Sequence, residues 1–378
     1  MTNPTLISML AVAALTTVSI NCPAQELSAP VGFNRATCLA GSDTICSVPF
    51  DRQPQFEGTL SALTSTGSTA TLTPVEGVSW ATDQFRDNSF IRIRSGPMNG
   101  TYFQITGNSN GQLTIDLAGM DGSSLSEGTR FKICKFWTLD SLFPPSTQST
   151  IIPSTGNLLA QRRTELLLPD NTSPGYNLPP AAIYYLYGTT EWRRSASGFP
   201  QAGSTILWPD TYFIIKHGHA SITTDTQLIT TGHVELGSLT SPLAVLTTDR
   251  QDNFVTHGRP VPMPLSKLGL DESTFQSSSS ILLPHRRDEL YVYDNLIPQL
   301  NKPPSFIYYK VGSDWRSASS GSPVSNHVLI PPGSVYHPQI PYCIALLHFM
   351  EKRSSWPELT SMASPFYDCK DIVWCRCP

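Results

Sequence analysis

Four groups of residues in this 378-residue chain have the types and spacing to do chemistry. His217-Gly218-His219 places two imidazoles two residues apart, with His233 fourteen positions beyond. On an extended strand residues i and i+2 share a face and can share a metal. Gly218 sits between them, however, and no carboxylate cluster accompanies them, so they read as loop histidines and imply neither metal nor cofactor. Arg163 with Glu165, and Arg287 with Glu289, are spaced to share one face of a strand. Such a pair is either a charged ligand site or an ordinary ion pair, which when exposed contributes under about 1 kcal/mol. Tyr184, Tyr187, Trp192, Tyr308 and Trp315 could form a platform for sugar rings or fill a β core. Cys38 and Cys46 flank Gly41-Ser42-Asp43, and a turn there would set them opposite each other as a disulfide candidate in an oxidising compartment.

No Gly-x-Ser-x-Gly elbow, phosphate loop or dinucleotide fingerprint occurs, which argues against an enzyme. Charged residues are only 14% of the chain, net charge is -4, and no Lys/Arg-rich run exists. Nucleic acid, whose binding is dominated by phosphate neutralisation, is excluded as a partner. The 32 prolines and abundant Ser and Thr suit short strands and many turns.

The elements that must carry these residues read as all-β. Residues 1–24 contain an apolar run from Leu6 to Ile20 followed by Cys22-Pro23-Ala24, the pattern of a cleaved signal peptide without a basic n-region. No other run is long enough to span a bilayer, so the mature chain is expected to be secreted or held at the cell surface or in the periplasm. Removing Cys22 would leave seven cysteines and at least one unpaired thiol. Residues 28–135 read as an antiparallel β-meander: Phe90 to Arg94, Thr101 to Thr106 and Gln112 to Leu117 alternate, and Asn99-Gly100 and Asn110-Gly111 are hairpin turns.

From residue 139 the chain repeats at a spacing of about 124 residues. Arg162-Arg163-Thr164-Glu165-Leu166 returns as Arg286-Arg287-Asp288-Glu289-Leu290, Asp170-Asn171 as Asp294-Asn295, and Ile183-Tyr184-Tyr185 as Ile307-Tyr308-Tyr309. After one deletion Trp192-Arg193 matches Trp315-Arg316 and Pro209 matches Pro332. These define β modules of sandwich or small-barrel type at 139–218 and 265–337, joined by a strand-rich connector at 219–264. The last stretch, 338–378, carries half of the eight cysteines and no echo of the repeat. It is either a frame-shifted tail or a disulfide-stapled cap.

The order Ala29-Pro30-Val31-Gly32-Phe33, then Gly100-Thr101-Tyr102-Phe103-Gln104-Ile105-Thr106, then the duplicated Ile-Tyr-Tyr and Trp-Arg units resembles a family of exported β-rich proteins of Verrucomicrobia-like bacteria and their relatives. No activity is attached to that family, so the resemblance implies export and a similar fold over roughly Ala29 to Tyr336 and supplies no catalytic residues. The expectation is a non-catalytic structural or binding protein of the cell surface or extracellular space whose partners are glycans or other surface proteins. The alternative is an exported polysaccharide-active hydrolase.

Overall fold

The computed structural model describes residues 30–244, 251–331, 335–336 and 372–377. The fold is all-β and antiparallel, and its plan is a duplication wider than the sequence identities suggest. In the first copy β1 (Val31–Cys38) and β2 (Asp43–Cys46) come before a six-stranded closed barrel: β3 (Phe56–Thr66), β4 (Thr69–Pro74), β5 (Ser89–Ile93), β6 (Tyr102–Ser109), β7 (Gln112–Asp116) and β8 (Arg130–Lys135). The copy resumes with β9 (Trp137–Thr138), the single-turn α1 (Leu139–Leu142), β10 (Glu165–Leu168), β11 (Ala182–Tyr187), β12 (Glu191–Arg194), β13 (Ile206–Leu207), β14 (Phe213–Lys216) and β15 (Thr226–His233). The second copy repeats this series without the barrel: β16 (Leu239–Ala244), β17 (Val255–Thr256), β18 (Met263–Pro264), a 3-10 turn at Leu265–Lys267 in place of α1, β19 (Glu289–Val292), β20 (Phe306–Val311), β21 (Asp314–Ser317), β22 (Leu329–Ile330), β23 (Val335–Tyr336) and β24 (Ile372–Cys377).

The pairings correspond except one, since β10 pairs with β14 whereas β19 and β23, at the matching places, share no ladder among the described residues. β10 lies between β11 and β14, and β2 pairs with the outer edge of β14, so the first copy has the order β12-β11-β10-β14-β2. Cys46 opposes Phe213 there, and Val255 of β17 opposes Tyr336 of β23 in the second copy. β1 pairs with β15, β16 with β24, β9 with β13 and β18 with β22. The strands at 31–46, expected with the meander, therefore belong to the first module, and the barrel is an insertion into it. The expected connector divides likewise: β15 closes the first copy and β16 opens the second. Both readings of the tail concern residues that, apart from 372–377, lie outside those described, as does the expected signal segment.

The barrel closes because its alternating strands turn Leu60, Leu72, Ile91, Phe103, Ile105, Ile115, Phe131 and Ile133 inward. Bulges beside Leu60 and Ile105 add local twist, and closure leaves no unpaired edge. The expected Asn-Gly turns occur at both sites, with positive φ at Gly100 and Gly111. Gly100 is also a close approach: a Cβ would stand 2.6 Å from the Ser238 carbonyl oxygen, and Thr240 N donates to Gly100 O at 3.2 Å.

Each module buries its own core. Trp192, Leu186, Tyr184, Leu166, Ile215 and Phe213 pack on Leu139, Phe143, Leu207 and Leu228 in the first copy; Trp315, Tyr308, Leu290, Ile330 and Leu265 do so in the second. The copies clasp each other reciprocally. Asn171 accepts from Phe254 N at 2.8 Å and donates to Phe254 O at 3.2 Å, while Asn295 makes the same two bonds to Ile45, at 2.9 and 2.7 Å. Asn177 N donates to Asp252 and Asn301 N to Asp43, both at 2.6 Å. The Ser47 and Thr256 hydroxyls, equivalent positions in the two copies, meet at 3.1 Å where the clasps cross. Among the described residues no helix is long and apolar enough to cross a membrane.

Candidate functional site

The charged pair expected at Arg163 and Glu165 forms one residue earlier. The chain turns through 3-10 geometry at Leu159–Gln161 and Leu283–His285, and the strands begin only at Glu165 and Glu289, so the two-residue spacing never applies. It is Arg162 that meets Glu165 at 3.4 Å and lies over the Tyr185 ring at 4.8 Å; Arg286 meets Glu289 at 3.4 Å and lies over Tyr309 at 4.5 Å. Arg163 and Arg287 use their backbone N–H groups on Ser154 and Ser278 Oγ. Recurrence of the whole arrangement marks it as a clamp that holds the module.

Trp192 and Trp315 are core residues at 0% and 2% exposure, and Trp192 Nε1 donates to Phe143 O. They form no open platform. Tyr187 lies under the Arg193 guanidinium at 3.8 Å, and Tyr308 is buried. His217 is buried between the Thr164 and Thr226 hydroxyls, and burial lowers its pKa to about 4. His219 contacts Ser221 and the Ala160 carbonyl, away from His217's partners. Cys38 and Cys46 are free, buried thiols. Their strands do not pair with each other: Cys38 opposes Thr226 and Cys46 opposes Phe213, so the turn between them makes no hairpin, although both reach the same core.

Of the expected site residues, Tyr184 lines a cleft of about 870 Å³ between the barrel and the first module, to which the second copy adds Pro242, Asn253 and Val255. The module contributes Leu168, Asp170, Asn171, Ala182, Tyr184 and Arg194; the barrel contributes Tyr102 and Asp116; the segment around β13 adds Trp208, Asp210 and Thr211. Trp208 is 39% exposed and leans on Phe136 at 5.1 Å and Tyr102 at 6.5 Å between ring centroids. Asp210 is 6% exposed. Its Oδ1 accepts from the Tyr102 hydroxyl at 2.8 Å, while its Oδ2 is buried without a hydrogen-bond partner. Burial raises its pKa to about 6, against the opposing pull of the Tyr102 hydrogen bond and the charge of Arg92.

A buried ionic network stands behind this wall. Arg92 grips Asp51 with two bonds of 3.1 and 2.9 Å, and Lys132 Nζ, fully buried, lies 2.8 Å from both Asp51 and Glu235. Arg94 reaches Glu235 at 3.0 Å. Burial alone would raise the Asp51 pKa, but Arg92 and Lys132 overcome it and hold the carboxyl at about 2. Asp51 and Glu235 come from module segments and Arg92, Arg94 and Lys132 from β5, its flank and β8, so the network fixes the barrel against the module and hence both walls of the cleft. A second cavity of about 20 Å³, room for roughly one water, lies between the two and is lined by Asp51, Arg92, Tyr102, Asp210, Glu235 and His257.

The chain matches no known protein family, no curated protein and no solved structure. Its own duplication supplies the comparison instead. The residues that recur, Asp170 and Asp294, Asn171 and Asn295, Tyr184 and Tyr308, cap turns, clasp the copies and fill cores. Asp170, Asn171 and Tyr184 also line the cleft, but others there do not recur: in register, Trp208 aligns with Pro331, Asp210 with Gly333, Arg194 with Ser317, and Ala182 is replaced by Phe306. Trp208 and Asp210 flank the matched proline Pro209, and the contrast between copies is the signal by which the sequence could have disclosed them.

Proposed function

We propose that the protein is a non-catalytic exported binding protein of the cell surface or extracellular space, and that it holds a glycan in the cleft between barrel and first module. One observation carries this reading: Trp208, Asp210 and Arg194, which give the cleft its exposed ring, its unpartnered carboxylate oxygen and its cation, are positions at which the first copy departs from the second. A concave site with aromatic faces and a few fixed polar groups suits a sugar, whose ring has apolar faces and a polar edge. Export rests on the amino-terminal segment and on the resemblance drawn from the sequence. A glycan array probed with the purified chain should give saturable signals that Trp208→Ala removes; signals indifferent to that change would displace the cleft as the site.

A second reading, a polysaccharide hydrolase, has one observation in its favour. Asp210 with its raised pKa and Asp170 with a lowered one line the same cleft, as an acid and a base would. Against it, Asp170 Oδ1 already accepts from Thr172 N, Thr172 Oγ1 and Ser173 N, and Asp294 recurs as a turn cap in the second copy. New reducing ends released from a polysaccharide panel by the native chain, and lost in Asp210→Asn, would establish the hydrolase.

A further inference from the structure

Resting on the reading of the cleft as a glycan site, we infer that its ligand is a sugar unit without negative charge, one hydroxyl of which donates to Asp210 Oδ2 while the ring packs against Trp208. Three features select this class. Asp210 Oδ2 is a buried acceptor with no partner beside a cleft large enough for several sugar rings, so the site is short of one hydrogen-bond donor. Tyr102 fixes the carboxyl by donating to the other oxygen, which leaves Oδ2 as the oxygen without a partner.

The charge of the lining settles the rest. Asp116, Asp170 and Asp210 oppose a single cation, Arg194, among the described residues that line the cleft. A uronate or sulfated sugar would bring its charge against those carboxyls. A hydroxyl or an ammonium meets no such penalty, and Trp208, steadied by Phe136 and Tyr102, offers a ring face at the cleft.

Isothermal titration calorimetry on the full chain tests this with three probes of matched length: neutral hexose oligomers, uronic-acid oligomers and glucosamine oligomers. The expected result is binding of at least one neutral or glucosamine series and of no uronic-acid one. Asp210→Asn, which keeps an oxygen for Tyr102 but turns the other position into a donor, should weaken it by about tenfold or more. Trp208→Ala should weaken it comparably, and thermal melts confirm that both variants fold. Preference for the uronic-acid series would overturn the inference and leave the cleft as a glycan site. Binding unaffected by both substitutions would overturn the cleft itself, and no binding by any series would overturn the glycan reading.

Discussion

Asp210→Asn should change how the stability of this protein depends on pH, apart from any ligand. The folded carboxyl has its pKa raised from 3.8 to about 6, principally because burial disfavours the charged form. A shift of that size corresponds to about 3 kcal/mol of differential stability, at 1.36 kcal/mol for each pH unit. Since the folded state holds the proton more tightly than the unfolded chain, it gains protons relative to it between about pH 4 and pH 6. Stability conferred by the protonated carboxyl is therefore present below pH 4 and is lost as pH rises through 6. Asparagine resembles the protonated carboxyl and cannot ionise, so the variant escapes that loss. Guanidinium unfolding of both proteins at half-unit steps from pH 4 to 7.5 should show the variant gaining about 2 to 3 kcal/mol on the wild type across the window. Other shifted groups, including Asp51 and His217, are present in both proteins and cancel in the difference. A difference that does not vary with pH would refute the desolvated-carboxyl account. A gap that instead widens as pH falls would mean that Arg92 holds Asp210 ionised.

Three further outcomes follow from the same geometry. Asp51→Asn leaves buried Arg92 and Lys132 short of a counter-charge and should destabilise the fold by about 3 to 5 kcal/mol, read as a lowered denaturant midpoint; a loss under about 1 kcal/mol would show that the network does not fix the barrel. Asn171→Ala and Asn295→Ala each remove two hydrogen bonds to a backbone segment of the other copy, and each should cost about 1 to 3 kcal/mol. Similar losses at both sites are the mark of a reciprocal clasp, whereas one silent site would break the proposed symmetry. Ala182→Phe writes the second copy's Phe306 into the first and should fill part of the cleft without unfolding the module; calorimetry with a bound oligosaccharide should then show the affinity lost, and full retention would place the ligand elsewhere.

Much of the architecture was legible before the structure. Period-two alternation and the Asn-Gly turns locate β5, β6 and β7 to within a few residues, because both signals depend on local backbone geometry. Identities such as Tyr184 with Tyr308 and Trp192 with Trp315 find the repeat because these side chains fill cores whose shape changes little. Strands β1 and β2 escaped that reading for a physical reason. They pair with β15 and β14 across about 170 to 200 residues and a whole inserted barrel, and partners so remote leave no local pattern. The Arg163 and Glu165 spacing misled because an i, i+2 argument holds only once the strand has begun, and here it begins at Glu165.

The candidate site was nearly hidden for a related reason. The residues that two copies share are those the fold needs twice. A ligand site used once appears as their complement: Trp208, Asp210 and Arg194 are the places where a match running through Pro209 and Trp192 breaks. The barrel sharpens that contrast, since it is itself unmatched in the second copy and brings Tyr102 to the unmatched Asp210. Two departures from symmetry that are far apart in sequence thus meet at a single hydrogen bond of 2.8 Å. Substituting either partner should therefore disturb the cleft while leaving the second copy as it is.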